Sequence, residues 1–200
     1  MSKKSKKASN EDFSEIKAIL VGSSGVGKTN LINVCVGQGF NSHTKPTNCC
    51  SLLQKNLIIN NINYTINLWD TMGQEAYKGI SKLFFRESQI VIFVYDITSK
   101  ESFENLEEWI QMAKDIIDEK FVSGIVGNKN DLYLQAKVNE EEARKYAEEK
   151  NMKFRLVSAK EDPKSFDDFL YELVQKVEIP ENKIKTVLNN KKEEKAKKCC

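Results

Sequence analysis

The sequence predicts an α/β domain with a mostly parallel sheet, helices on both of its faces, and a ligand held outside the carboxyl ends of the strands. Three observations predict it. Apolar runs with a buried-strand pattern alternate with helical stretches from residue 15 to residue 177. A glycine-rich turn, "GSSGVGKT" (22–29), comes directly after the first run and opens a helix. Finally, Asp70, "NKND" (128–131) and "SAK" (158–160) each follow a strand-like run, so distant segments converge at one rim.

The first run is "EIKAILVG" (15–22), and "KTNLINVCV" after it spaces Leu31, Ile32 and Val36 as a helix does. "SLLQKNLIINNINYTINLWD" holds two β-rich runs around Asn60-Asn61. Asparagine tolerates positive φ, so a hairpin with strands near 51–59 and 62–69 is expected. Buried strands follow in "QIVIFVYDIT" (89–98), "FVSGIVGNK" (121–129) and "KFRLVSAK" (153–160). Helices are expected over "SFENLEEWIQMAKDIIDEK" (102–120), with Phe103, Leu106, Ile110 and Ile117 on one face, over "NEEEARKYAEEK" and over "SFDDFLYELVQKV".

Composition narrows the function classes. Two hundred residues with 40% hydrophobic content fit one domain plus tails. No apolar stretch approaches the roughly 18 residues of a membrane span, and "MSKKSKKASN" has charge without an apolar segment behind it, so a chain that stays in the cytosol is expected. The cysteines, Cys35, Cys49, Cys50, Cys199 and Cys200, form no CxxC pair, and His43 is the single histidine, which argues against a zinc site and a disulfide framework. Residues 1–12 carry four Lys against Glu11 and Asp12, and residues 181–200 carry seven Lys against three Glu, which leaves the body mildly acidic. Basic ends on an acidic body do not make a nucleic-acid groove; they read as tethers. A flexible basic extension (1–13), a globular body (14–178) and a flexible tail (179–200) are therefore expected.

"GSSGVGKT" fits G-x-x-x-x-G-K-[ST] at every fixed position. Glycines let backbone N–H groups turn around phosphate oxygens, and the helix N-terminus adds partial positive charge. Lys28 reaches the outer phosphates, and the Thr29 hydroxyl ligates Mg²⁺. In "WDTMGQE" (69–75), Asp70 ends a strand where it can hold the metal from the other side, Gly73 offers a bare N–H, and Gln74 can orient a water. "NKND" selects the base. A carboxylate that accepts two N–H bonds from guanine would face a lone pair in adenine, and an unpaired buried charge is costly.

The ordered set "GSSGVGKT", "PT", "WDTMGQE", "NKND" and "SAK" resembles the Ras superfamily of small GTPases. Within it, "WDTMGQEAYKGI", "FFRESQIVIFVYDIT", "SFENLEEWI" and the terminal Cys-Cys resemble the Rab branch. The resemblance implies the G domain of P-loop NTPases over residues 14–178, with a mostly parallel six-stranded sheet containing one antiparallel strand. It also implies GTP or GDP with Mg²⁺ as ligands. Around the phosphates it implies Ser23, Ser24, Gly25, Val26, Gly27, Lys28, Thr29 and Asn30. Phe40 packs on the guanine ring, and Thr47 reaches Mg²⁺ and, with Gly73, senses the γ-phosphate. Thr29, Thr47 and Asp70 serve the metal, and Lys28, Thr47, Gly73 and Gln74 serve catalysis. Asn128, Lys129 and Asp131 read the base, supported by Ser158, Ala159 and Lys160.

With no obvious internal arginine for the transition state, slow GTP hydrolysis raised by an activating protein is expected. An exchange factor, effectors that read the switch loops and a prenyl-binding escort are implied as further partners, around a monomeric protein. Two prenyl groups on Cys199 and Cys200 give a stable anchor where one gives a marginal one, so the implied location is the cytoplasmic face of an intracellular membrane, cycling with the cytosol. A tail of about twenty residues spans on the order of 25 Å as a coil.

The chain departs from the family after Thr47, where "NCCSLL" stands in place of Ile-Gly and a following aromatic; the aromatic triad that reads Rab state becomes Leu52, Trp69 and Tyr77. Met72 replaces the usual Ala before Gly73, and Ala76 the frequent Arg. These departures keep a second reading open, a guanine-nucleotide-binding module with negligible hydrolysis that recruits partners. An ATP-dependent enzyme is contradicted by "NKND".

Overall fold

A computed structural model describes residues 14–47, 50–71, 84–117 and 120–178. In chain order the elements are β1 (Ser14–Val21), α1 (Lys28–Cys35), β2 (Ser51–Ile59), β3 (Ile62–Asp70), β4 (Ile90–Asp96), α2 (Lys100–Glu104), α3 (Leu106–Ile116), β5 (Val122–Asn128), a 3₁₀ helix (Asn130–Gln135), α4 (Glu140–Glu149), β6 (Lys153–Leu156) and α5 (Pro163–Val174). The strands form one six-stranded sheet in the order β2-β3-β1-β4-β5-β6. Only β2 runs against its neighbour, pairing with β3 from Ser51–Asp70 to Ile59–Ile62, and the other pairings are parallel.

The alternation of each central strand sorts its side chains between two cores. Ile16, Ala18 and Leu20 of β1 and Ile90, Ile92 and Val94 of β4 face α1 and α5, where Leu31, Ile32, Phe166, Phe169 and Leu173 cover them. Ile19, Val21, Val91, Phe93 and Tyr95 face the other way, under Leu106, Trp109 and Ile110 of α3 and Ala143 and Ala147 of α4. All seven residues of β4 are buried, as a strand covered by helices on both faces requires. Each fully buried Phe or Leu of α5 contributes roughly 1.5–3 kcal/mol. Lys55 joins the first core to the edge strand, its Nζ donating to the Cys35 carbonyl at the end of α1 and to Asp167 Oδ2 of α5, both at 2.6 Å.

The Asn60-Asn61 turn has φ of 51° and 63°, the left-handed pair that matches the twist of a two-residue hairpin. Two expected elements differ. The single helix over 102–120 is divided at Asn105 into α2 and α3, and it stops at Ile116 because Ile117 turns extended while remaining buried. The strand expected over 153–160 ends at Leu156, which leaves "SAK" in a loop closed by a bridge between Ser158 and Asp162. The expected N-terminal extension (1–13) and tail (179–200) lie outside the described residues.

Candidate functional site

The phosphate loop owes its shape to glycine. Gly22 leaves β1 at φ 147°, and a Cβ there would lie 2.0 Å from the Val94 carbonyl oxygen. Gly27 precedes α1 at φ 96°, where a Cβ would lie 2.4 Å from Asn128 Nδ2. The loop therefore sits against β4 and β5 with no room for a side chain at Gly22 or Gly27, and Lys28 turns back into it. Its Nζ donates to the carbonyls of Gly22 at 2.7 Å and Ser23 at 2.9 Å. Burial brings the Lys28 ammonium down to about 8 from its ordinary value, with the Asp70 charge opposing the shift. An anion that replaced the lost water would restore the charge.

At the head of α1, three oxygen groups converge. Thr29 Oγ1 donates to Asp70 Oδ2 at 2.7 Å and lies 2.8 Å from Thr47 Oγ1. Burial raises the Asp70 carboxyl, opposed by the Thr29 hydroxyl, the Lys28 charge and the Thr47 hydroxyl. Asp70 Oδ1 is buried without a hydrogen-bond partner, and a buried unpaired carboxylate oxygen is costly enough to call for a ligand. Two hydroxyls and one carboxylate are hard oxygen donors of the kind Mg²⁺ takes together with phosphate. Among the described residues no group of three His, Cys, Asp or Glu could hold a metal by itself, so a cation at this corner would depend on an anion beside it. The residues present fit such a pair.

The far end is built around Asn128, the last residue of β5. Its Nδ2 donates to the Val26 carbonyl at 2.8 Å, and its Oδ1 accepts from the Ala159 N–H at 3.4 Å. Lys129 then takes a left-handed conformation, φ 66°, and its Nζ pairs with Asp96 Oδ2 at 2.6 Å. Asp96 is itself held at the end of β4, where its Oδ1 accepts from the Thr98 N–H and hydroxyl. Asp131 accepts from the Ser158 hydroxyl at 2.7 Å.

The loop after α1 forms the remaining wall. Asn30 brackets Asn41, donating from Nδ2 to its carbonyl at 3.0 Å and accepting from its N–H at 3.1 Å; the Thr44 hydroxyl donates to the same Oδ1 at 3.3 Å. Between these parts lies a cavity of about 430 Å³. Its wall brings together Ser24, Gly25, Gly27, Lys28, Thr29, Asn30, Phe40, Thr47, Asn128, Lys129, Asp131, Ala159 and Lys160. Asp70 stands behind Thr29.

Besides Asp70, three expected residues serve from outside the wall. The Val26 side chain is in the core, the Ser23 hydroxyl accepts from Asn105 Nδ2 at 3.3 Å, and Ser158 is buried behind Asp131. Gly73, Gln74, Cys199 and Cys200 lie outside the described residues, as do Met72, Ala76, Tyr77, Asn48 and Cys49. Sequence reasoning missed Asp96 and Asn105, which hold Lys129 and Ser23, and Lys45, which lines the cavity. Asp96 carried a signal, since it is an acid at a strand end on the ligand rim.

A glycine-cradled lysine at the head of a helix, a hydroxyl and carboxylate corner and an acid-bearing loop across one cavity define a phosphate-loop nucleotide-binding protein. The family model described as "Ras family" matches residues 17–179. The chain is 36% identical over 143 residues to GTP-binding protein ypt3 of Schizosaccharomyces pombe, covering 72% of this chain and 67% of that one. It is 38% identical to Ras-related protein Rab-21 of Geodia cydonium (72% and 63% covered) and to Ras-related protein RabC of Dictyostelium discoideum (73% and 76%). The chain belongs to the Ras family, as a Rab-like small GTPase. Among the described residues no helix is long and apolar enough to cross a membrane.

Proposed function

We propose that this chain is a membrane-attached molecular switch of vesicle trafficking that binds GTP and hydrolyses it slowly to GDP and phosphate. The observation that carries the reading is the convergence of Thr29, Thr47 and Asp70, because one loop, one helix and one strand end meet where a γ-phosphate and Mg²⁺ would hold all three. Lys28 neutralises the outer phosphates, Thr29, Thr47 and Asp70 hold the ion, and Asp131 accepts the guanine N–H groups while Asn128 fixes the loops on either side. Bound Mg²⁺ supplies charge neutralisation across the phosphates.

Thr47 and Gly73 take the γ-phosphate from two sides and Gln74 orients the water, so loss of that phosphate releases both loops and changes the surface that effectors meet. An activating protein accelerates hydrolysis, and an exchange factor empties the site. Lipids on Cys199 and Cys200, hidden by an escort in the cytosol, return the chain to the cytoplasmic face of an intracellular membrane.

Replacing Gln74 by Leu tests the enzyme. Single-turnover phosphate release from Mg²⁺-GTP-loaded protein should fall by at least about tenfold, with GDP affinity retained. A negligible rate in the unaltered protein that the variant leaves unchanged would replace hydrolysis by the guanine-nucleotide-binding module.

A further inference from the structure

Among the described residues four lysines line the cavity, and three of them have partners. Lys28 is bound by the Gly22 and Ser23 carbonyls. Lys129 is paired with Asp96, and Lys160 lies 3.5 Å from Glu161. The fourth is Lys45, an exposed residue on the loop after α1; among the described residues no carboxylate pairs with it.

Its place is constrained from both sides. Lys45 stands two residues before Thr47, whose hydroxyl lies 2.8 Å from that of Thr29 at the metal corner. Pro46 follows directly, and a residue before proline is restricted to extended backbone, which limits the directions its stem can take relative to Thr47. On the other side, Asn30 holds Asn41 and Thr44 with three hydrogen bonds. The loop thus places on the cavity wall, two residues from the metal corner, a cation that no carboxylate pairs among the described residues.

We propose that Lys45 contacts the outer phosphate oxygens of a bound nucleoside triphosphate and is a catalytic residue, supplying within the chain part of the positive charge that the transition state needs. The proposal rests on the nucleotide reading above. In hydrolysis the water oxygen bonds to the γ-phosphorus as the bond from that phosphorus to the β,γ-bridging oxygen breaks. The bridging oxygen keeps the electron pair and stays on GDP, and the water's protons pass to the phosphate product and solvent. Negative charge grows on the bridging oxygen and remains spread over the peripheral ones, so a cation already there stabilises the transition state more than the ground state. Solvent screens an exposed ammonium, which makes its effect smaller than that of a buried donor.

The test uses the full chain and its K45A and K45R variants, loaded with GTP and Mg²⁺. Phosphate release is followed over a single turnover, and GTP and GDP affinities are measured alongside. K45A should slow release by about tenfold, K45R should retain most of the rate, and GDP affinity should change by less than about threefold. A purely structural lysine would not divide rate from GDP affinity in this way. Equal rates in K45A and the unaltered chain would overturn the proposal, as would a loss of affinity for both nucleotides at unchanged rate. Failure of the unaltered chain to bind either guanine nucleotide would overturn the nucleotide reading and this proposal with it.

Discussion

Asn128 donates a buried hydrogen bond of 2.8 Å to the carbonyl of Val26, joining the end of β5 to the phosphate loop. The same carboxamide accepts from the Ala159 N–H on its other side, so a single side chain sets the spacing between the phosphate end and the base end of the cavity. Its closeness to Gly27, which has no space for a Cβ, shows how tightly the two loops approach.

Asn128→Ala should therefore cost both stability and grip. It leaves the Val26 carbonyl buried without its partner, a loss of about 1–3 kcal/mol, and lets the two loops separate. Denaturant unfolding and the release rate of a fluorescent GDP should both move. A variant as stable and as slow to release as the unaltered protein would show that the bond carries neither.

Lys28 predicts a proton-linked binding reaction. Its folded value of about 8 lies below the ordinary 10.5. The empty folded state therefore holds fewer protons at this group than the unfolded chain between those values, and the stability contribution of this group rises with pH across that window. Bound phosphates reverse the shift by favouring the charged form. Nucleotide binding should take up about half a proton at this lysine at pH 8 and about a tenth at pH 7. Calorimetry of GDP binding in buffers of different ionisation heat measures the difference, and uptake that does not increase between the two pH values would contradict the assignment.

Asp131 predicts the base. With its carboxylate positioned by the Ser158 hydroxyl, Asp131→Asn would point an amide donor at the N–H groups of guanine, whereas the 2-carbonyl of xanthine would accept from it. GDP affinity should fall by about a hundredfold, since a site built for a hydrogen bond strongly rejects a mismatched group, and xanthosine diphosphate should gain. Competition of the two nucleotides for the variant reads this directly.

Where pattern and structure agree, the cause is local. Asn60-Asn61 announces a hairpin because asparagine accepts positive φ, and the six successive apolar residues of β4, Ile90 to Tyr95, announce a strand buried on both faces. The phosphate loop was legible because glycine spacing, lysine and hydroxyl are bound to one mechanical task. The break at Asn105 was not, because the apolar face continues through it from Phe103 to Ile110, and the reason to notice Asn105 is a bond to Ser23, a residue distant in the chain. Asp96 and Lys45 escaped for the same reason. One matters through its pairing with Lys129 and the other through its position on the cavity wall, and neither relationship leaves a period in the sequence.

Asn30 predicts how firmly the loop after α1 closes the site. Two of its hydrogen bonds go to the backbone of Asn41 and one comes from the Thr44 hydroxyl, so the residue ties the first turn of α1 to the stretch that carries Phe40 and Thr47. These bonds are exposed to solvent, and each contributes about 0.5–1.5 kcal/mol at most. Asn30→Ala removes all three at once, with little consequence for a core that Asn30 does not enter. Nucleotide release should accelerate by about fivefold to tenfold, as loss of roughly 1 kcal/mol or slightly more from the closed loop implies, while the unfolding midpoint changes little. Chelating Mg²⁺ removes the hold through Thr47 but not the hold through Asn30, so the variant should release faster than the unaltered protein with chelator as well as without. If the difference vanished in chelator, Asn30 would act only through the metal corner, and the loop would have no tie of its own.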